Sequence, residues 1–415
     1  MTFEPAQSQP AGRTPTGRHG RKPRLMTALP AVFLAAALAA CAPASPARQT
    51  AASGASASSA DASSHATSAQ AELPRPTGRH AVGRATLHLV DKNRPDPWVP
   101  TAGPRQLMVS MYYPARPRTG GPAPYMTTEE ARLLLQRKAP NSTIPPETIS
   151  RIRTYAHTDA RPTHGRFPLV VLSPGLTLPR AVLSGLAEDL ASRGYVVALV
   201  DHTYEAAGIT FPDGKTLACV ICDRPPAGGP PAIAESRARD ITFVIDQLTG
   251  PHPAWRSARM IDTRHIGVAG HSISGDAAPL AMAADDRVRA GVNLDGTFYA
   301  PVPATGLHGR PFLLLGTQSI HSSGSDKDTT WDRDWPKLDG WKRWPAVAGA
   351  DHSSFTDGPV LETMLGMPIE LSAQRSLAIT RAYVGAFFDL HFKGRHRVLL
   401  DGPTAANPEV TFQHP

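Results

Sequence analysis

Five short apolar runs constrain this chain more than anything else in it. They are Phe167–Ser173 (FPLVVLS), Tyr195–Val200 (YVVALV), His265–Gly270 (HIGVAG), Ala290–Leu294 (AGVNL) and Pro311–Leu315 (PFLLL). A strand with one wet face alternates apolar and polar residues, so near-continuous runs mean strands covered on both faces. Helical periods lie between them. Val182, Leu186 and Leu190 recur at i, i+4, i+8 within Leu178–Arg193, which Gly194 closes. Ile241, Val244, Ile245 and Leu248 recur at i, i+3, i+4, i+7, and a last helix over about Ser372–Phe392 carries Ile379, Tyr383 and Phe387. This alternation predicts an α/β fold, a mostly parallel central sheet with helices on both faces. Ala85–Val90 and Leu107–Tyr113 read as antiparallel strands at one edge. Residues 125–164, with helical segments Ala131–Lys138 and Glu147–Tyr155, read as a helical insertion and a candidate lid.

The N-terminal part is of another kind. Residues 1–24 are polar and basic, and Ala28–Ala40 (ALPAVFLAAALAA) is an apolar run of 13. A spanning helix needs about 20 residues, whereas an h-region behind a basic n-region is this short. The run ends in Leu38-Ala39-Ala40-Cys41, which resembles the lipobox of bacterial lipoproteins. That resemblance implies a signal peptide over 1–40 and lipidation of Cys41, hence an exported protein anchored to the outer face of a bacterial membrane or secreted. From 41 to 75 the chain is nearly all Ala, Ser, Pro, Thr and Gln and cannot bury enough surface to fold, so a disordered tether is expected ahead of a catalytic domain over 76–415.

Composition excludes some function classes. Of 415 residues, 41% are hydrophobic and 19% charged, which fits neither a disordered nor a coiled-coil chain. The formal charge of +8 invites a nucleic-acid partner. Five of the basic residues (Arg13, Arg18, Arg21, Lys22, Arg24) fall in the first 40 against only Glu4, which leaves +4 for the rest. No basic run with interleaved aromatics follows, so no nucleic-acid partner is expected, and the residual positivity suits an anionic lipid surface. Besides Cys41 the chain has Cys219 and Cys222, expected as a local disulfide in an exported protein. Two thiols cannot make a four-cysteine zinc site, and no metal or cofactor is expected.

The chemistry is concentrated at Gly270-His271-Ser272-Ile273-Ser274-Gly275, directly after the run HIGVAG and before a helical stretch. A strained strand-to-helix turn that exposes a nucleophilic serine needs small residues beside it, in the pattern G-x-S-x-G. Here Ser274 holds the fifth position and Gly275 follows. A serine hydroxyl needs a base and an orienting acid. Of His308, His321, His352, His391, His396 and His414, the base is expected to be His352, which follows the short strand Ala346–Ala348; His391 and His396 are expected at the surface. The acid is expected to be Asp295, at the carboxyl end of AGVNL. Asp326 and Asp328 are the alternatives, in a polar loop where both are expected to be solvated. An oxyanion hole is expected from the N–H groups of Ile273 and Leu176, with Gly175 and Gly270 allowing the close backbone approach. Trp331, Trp335, Trp341 and Trp344 crowd the segment before His352; Trp335 and Trp341 read as anchors of that loop, with an acyl-pocket lining by the four as the alternative. His202 reads as a pocket-lining residue.

Ser173-Pro174-Gly175-Leu176, Asp201-His202, Gly270-His271-Ser272, Leu294-Asp295-Gly296 and the segment Gly349–Phe355 (GADHSSF) together resemble the α/β-hydrolase fold. Within it the chain is most similar to the platelet-activating factor acetylhydrolase group and its bacterial lipase and esterase relatives. The resemblance implies an acid at Asp295 and an oxyanion pair at Gly175 and Leu176, over about residues 77–395. It implies an exported serine carboxylic-ester hydrolase on short-acyl or phospholipid-like esters. A broad lipase or cutinase-like polyester hydrolase is the second reading, and a non-catalytic surface-binding lipoprotein the third.

Overall fold

A computed structural model describes residues 70–414; the signal peptide, Cys41 and all but the end of the tether lie outside the described residues. The strands are β1 (Ala81–Pro95), β2 (Pro104–Ala115), β3 (Gly121–Pro122), β4 (Ala156–Thr158), β5 (Phe167–Ser173), β6 (Val196–His202), β7 (Gly208–Thr210), β8 (Thr216–Ala218), β9 (Ile261–His271), β10 (Val288–Leu294), β11 (Phe312–Thr317), β12 (Lys342–Val347) and β13 (Val410–Gln413). The helices are α1 (Thr128–Lys138), α2 (Pro146–Ser150), α3 (Ser184–Ser192), α4 (Gly229–Thr249), α5 (Ile273–Ala284), α6 (Thr330–Asp334), α7 (Gly358–Met364) and α8 (Ala373–Lys393).

Among these residues, eleven strands form one sheet in the order β13-β12-β11-β10-β9-β5-β6-β2-β1-β4-β3. From β6 to β12 the neighbours run parallel, and β2 joins β6 antiparallel. Each apolar run lies in this parallel part, as double burial requires. Helices α4 and α5 cover one face through Ile241, Val244, Ile245, Ala277 and Ala281. On the other face α3 and α8 pack Leu186, Leu190, Ile379, Tyr383 and Phe387. The chain goes from β5 to β6 on one side and later to β9 on the other. Strand order therefore reverses beside β5, and the crevice at the carboxyl ends of β5 and β9 is where ligands bind in open parallel sheets.

Several elements differ from expectation for physical reasons. The helix expected over Leu178–Arg193 is split: a 3-10 turn spans Arg180–Leu183 and the α-helix starts at Ser184. Pro179 precedes the turn, and Arg180 is drawn to Asp201 through both its N–H and its guanidinium. The helix expected over Glu147–Tyr155 stops at Ser150. Beyond it Arg153 exchanges backbone hydrogen bonds with Ala71 and Leu73, which ends helical pairing. The insertion is fastened at both ends. Glu130, which closes a capping box with Thr127 on α1, also accepts the Thr210 N–H, and Glu188 accepts the N–H groups of Tyr155 and Ala156. Among the described residues no helix is long and apolar enough to cross a membrane.

Candidate active site

Strand β9 ends at His271 and α5 begins at Ile273, so the whole turn falls on Ser272, with φ 57° and ψ −128°. A left-handed φ on a non-glycine residue is costly and persists only where the surroundings enforce it. They do. A Cβ on Gly270 would lie 1.9 Å from the Ser274 carbonyl oxygen, and one on Gly296 would lie 2.1 Å from that of Ser272. Gly275, one place later than the usual pattern, packs where a Cβ would meet Asn293 Oδ1 at 2.1 Å. The small residue the turn needs against β10 is thus Gly275, which frees the fifth position for a serine.

Three elements bring the proposed residues together. His352, in the loop after β12, has Nε2 2.9 Å from Ser272 Oγ and Nδ1 2.6 Å from Asp295 Oδ2. Asp295 follows β10 at φ 55°, and the Asn293 side chain brackets both backbone polar groups of Gly296 to hold that turn. His271 steadies the other side. Its Nε2–H donates to the His352 carbonyl at 2.7 Å, and burial with the nearby His352 pushes its imidazole down to about 3, so it stays neutral. Asp326 is exposed, as expected.

The two N–H groups expected to form an oxyanion hole are both without a backbone acceptor among the described residues. Ile273 is the first residue of α5, so its N–H has no acceptor within the helix. The Leu176 N–H makes no backbone hydrogen bond to another described residue. A Cβ on Gly175 would lie 3.0 Å from that of Ser272, so only glycine lets this loop pass the serine so closely.

A buried ionic lattice underlies that loop. Arg237 donates to Ser274 Oγ at 2.6 Å, to Glu205 at 2.8 Å and to the Pro174 carbonyl. Ser274 Oγ lies 2.6 Å from Ser173 Oγ and 2.8 Å from the Pro174 carbonyl, so the residue that departs from the pattern clamps the elbow to the oxyanion loop. Ser173 in turn meets His202 Nε2 at 2.7 Å, and His202 Nδ1–H donates to Asp240. His202 is therefore fully enclosed behind the loop, which corrects the expectation that it lines the pocket. Arg105 bonds Asp96, Glu205 and Asp240. Burial pushes the Asp240 carboxyl up, but Arg105 and His202 outweigh it and hold it well below the usual range. His202, Glu205 and Asp240 converge to within 4.8 Å, a grouping typical of metal ligands. Here Arg105 and Arg237 already supply the countercharge, so the cluster is an ion-pair lattice. Removing one partner alone would strand a buried charge, which typically costs about 3–5 kcal/mol.

Two further corrections concern Asp328, in the loop before α6, and His391, near the end of α8. Asp328 is buried: its oxygens accept from Thr330 and Thr297, and it meets His321 Nε2 at 3.0 Å. His391 is half-buried against Trp341, ring centroids 4.7 Å apart, with burial pushing it down to about 4. Trp331 and Trp344 are fully buried and anchor this region to the core. Cys219 and Cys222 are joined by a disulfide, Cα atoms 5.5 Å apart.

Beside His352 opens a cleft of about 350 Å³. It is lined by Leu134, Leu135 and Ile149 of the insertion, by Leu178 and Val182, and by Leu361 and Leu365 of α7 and its C-terminal turn. The insertion is a wall of the site rather than a surface decoration. Helix α7 was not among the expected elements.

With this geometry in place, the likenesses to known proteins are specific. A profile of the family described as "Platelet-activating factor acetylhydrolase, isoform II" matches residues 65–218. The chain is 28% identical to a "Probable 1-alkyl-2-acetylglycerophosphocholine esterase" of Arthroderma benhamiae, over 82% of this chain and 93% of that protein. It is 23% identical to the platelet-activating factor acetylhydrolase of Cavia porcellus, over 54% of this chain and 59% of that one. Among solved structures, a ferulic acid esterase from Streptomyces cinnamoneus is 44% identical, covering 83% of this chain and 99% of its own, at a TM-score of 0.75.

Proposed function

Because the chain belongs to the α/β-hydrolase superfamily, in its platelet-activating factor acetylhydrolase-like esterase group, and is a carboxylic-ester hydrolase, we propose that it works through an acyl-enzyme on Ser272. The observation that carries this is the hydrogen-bonded line Ser272–His352–Asp295, whose histidine also lines a leucine-rich cleft. Ser272 Oγ attacks the ester carbonyl carbon while His352 Nε2 takes its proton. The oxyanion is held by the N–H groups of Leu176 and Ile273. Collapse breaks the carbon–oxygen bond, and the imidazolium gives its proton to the leaving alcohol. Water then repeats the sequence on the acyl-serine, releasing the acid and restoring Ser272. Asp295 holds the imidazole in the tautomer with Nδ1–H, which leaves Nε2 free as the base.

Two substrate classes follow from the named relatives: 2-acetyl phospholipid esters and hydroxycinnamoyl esters. The cleft favours a bulky apolar acyl group, since an acetyl group alone would leave most of about 350 Å³ unfilled. Each buried methylene contributes about 0.8 kcal/mol. On p-nitrophenyl esters kcat/KM should therefore rise at least about tenfold from acetate to hexanoate, with methyl ferulate also hydrolysed. A steady fall with chain length, together with turnover of an acetylated glycerophospholipid, would instead favour the phospholipid reading.

Export with a lipid on Cys41 belongs to the same reading, supported by the apolar run that ends at Leu38-Ala39-Ala40-Cys41. A Cys41→Ser variant should lose its membrane association and its incorporation of labelled fatty acid. Retention of both would remove the anchor from the account.

A further inference from the structure

His321 and Asp328, which the sequence offered as rivals for base and acid, lie together on the far side of Asp295. His321 Nδ1 is 2.8 Å from Asp295 Oδ1, and its Nε2 is 3.0 Å from Asp328 Oδ2. The ring is buried and stacked on Trp331 of α6, centroids 4.2 Å apart, and its carbonyl accepts the Trp344 indole N–H from β12. A neutral imidazole carries one N–H, yet each nitrogen here faces a carboxylate oxygen, which only accepts while the acid is ionised. A proton on both nitrogens satisfies the whole set.

The charges around it fit that state. Asp295 faces His321 from the end of β10, Asp328 faces it from the loop before α6, and His352 lies beyond Asp295. Arg333 of α6 adds a positive field at Asp328. Burial disfavours the imidazolium, but Asp295 and Asp328 outweigh it and raise His321 to about 9. Burial likewise works to raise both acids, yet their hydrogen bonds hold them well below the usual carboxylate range.

We propose that His321 is a positioning residue of the hydrolysis: an imidazolium clamped between Asp328 and Asp295, which fixes one oxygen of Asp295 so that the other is aimed at His352. The Thr317 N–H, 2.7 Å from the same oxygen, completes the grip. The inference rests on the triad reading above and extends the line by two residues, Ser272–His352–Asp295–His321–Asp328. Two effects follow. Asp295 is held in the plane its partner needs, and part of its negative charge is offset. Because the folded state raises the His321 pKa above its ordinary value of about 6.5, the stability it contributes is complete below that pH. It is lost as pH rises through about 9.

The test begins with the unaltered protein, labelled with ¹⁵N-histidine. One ring should keep protons on both nitrogens up to about pH 8, with strongly downfield shifts, and this signal should vanish in His321→Gln. In that variant kcat should fall by roughly tenfold to a hundredfold, the range that partners of metal-bound histidines typically cost, with KM within about twofold. The acid limb of kcat/KM should move to higher pH by about one unit, because a positive neighbour of the Asp295–His352 pair is gone. Asp328→Asn keeps the histidine and should give a smaller loss in the same direction, and it serves if His321→Gln does not fold. A His321 ring that titrates as an ordinary imidazole near pH 6.5 would overturn the proposal, as would an unmoved pH profile in a folded His321→Gln. Ser272→Ala separates the two levels. Fluorophosphonate labelling that persists there defeats the triad reading, while the two-proton signature of His321 is read without any turnover.

Discussion

Replacing Ser272 by alanine is expected to lower kcat roughly 10⁶-fold, the scale on which loss of a triad nucleophile acts. The geometry leaves no substitute for it. The elbow places a single hydroxyl 2.9 Å from His352 Nε2. The neighbouring Ser274 is turned the other way, into Ser173, Pro174 and Arg237. KM should change little, since the apolar cleft and both oxyanion donors remain. The fold should survive as well, because alanine keeps the Cβ and removes only the hydroxyl of a half-buried residue. The check is steady-state hydrolysis of p-nitrophenyl hexanoate with matched melting curves. A residual rate of about 10³–10⁴ over water would be the share of binding and the oxyanion hole.

The second large effect concerns the acid. Asp295→Asn should lower kcat by about 10⁴-fold, the scale of the same change in a serine protease triad. An amide at this position can offer His352 Nδ1 an N–H, which favours the tautomer with its proton on Nε2. A proton there blocks the atom that must accept one from Ser272. The same variant removes a carboxylate from the buried His321, so a lower melting temperature accompanies the loss of rate. Asp326→Asn, in the exposed loop, should leave kcat within about twofold. Equal losses at both positions, or a larger one at Asp326, would show that the acid has been placed on the wrong strand end.

Much of this arrangement was legible in local patterns. The five apolar runs could be read because a doubly covered strand has a composition that little else shares. The serine turn could be read because a left-handed residue between strand and helix demands small neighbours on both sides. His352 and Asp295 followed from their places at strand ends, which in a parallel sheet all open on one crevice.

What was not legible depends on contacts between distant segments. Asp328 sits in a Ser/Gly/Asp-rich loop, where composition suggests a solvated residue. Its burial arises because Trp331, three residues on, packs against His321 and Trp344 and pulls the loop inward. His321 carries no local signal at all, since its partners are the end of β10 and a loop seven residues away. One hint was available: His321 and Asp328 were among the five histidine and two aspartate candidates left over once His352 and Asp295 were chosen. Ser274 was visible only as a departure from a motif. Its use appears once Arg237, on α4, is seen beneath the turn. The late start of the helix after Leu178 and the early end of the one after Glu147 have the same origin. Asp201 captures Arg180 and the segment at Ala71–Leu73 captures Arg153, and neither partner is near in sequence.

The central claim, a covalent path through Ser272, is tested most directly by intact-protein mass spectrometry after exposure to a fluorophosphonate. The unaltered enzyme should gain one phosphonyl group, mapped to the peptide containing Ser272, with ester hydrolysis lost in proportion to labelling. Ser272→Ala should gain none. Labelling of Ser272→Ala, or full hydrolysis by that variant, would contradict the account.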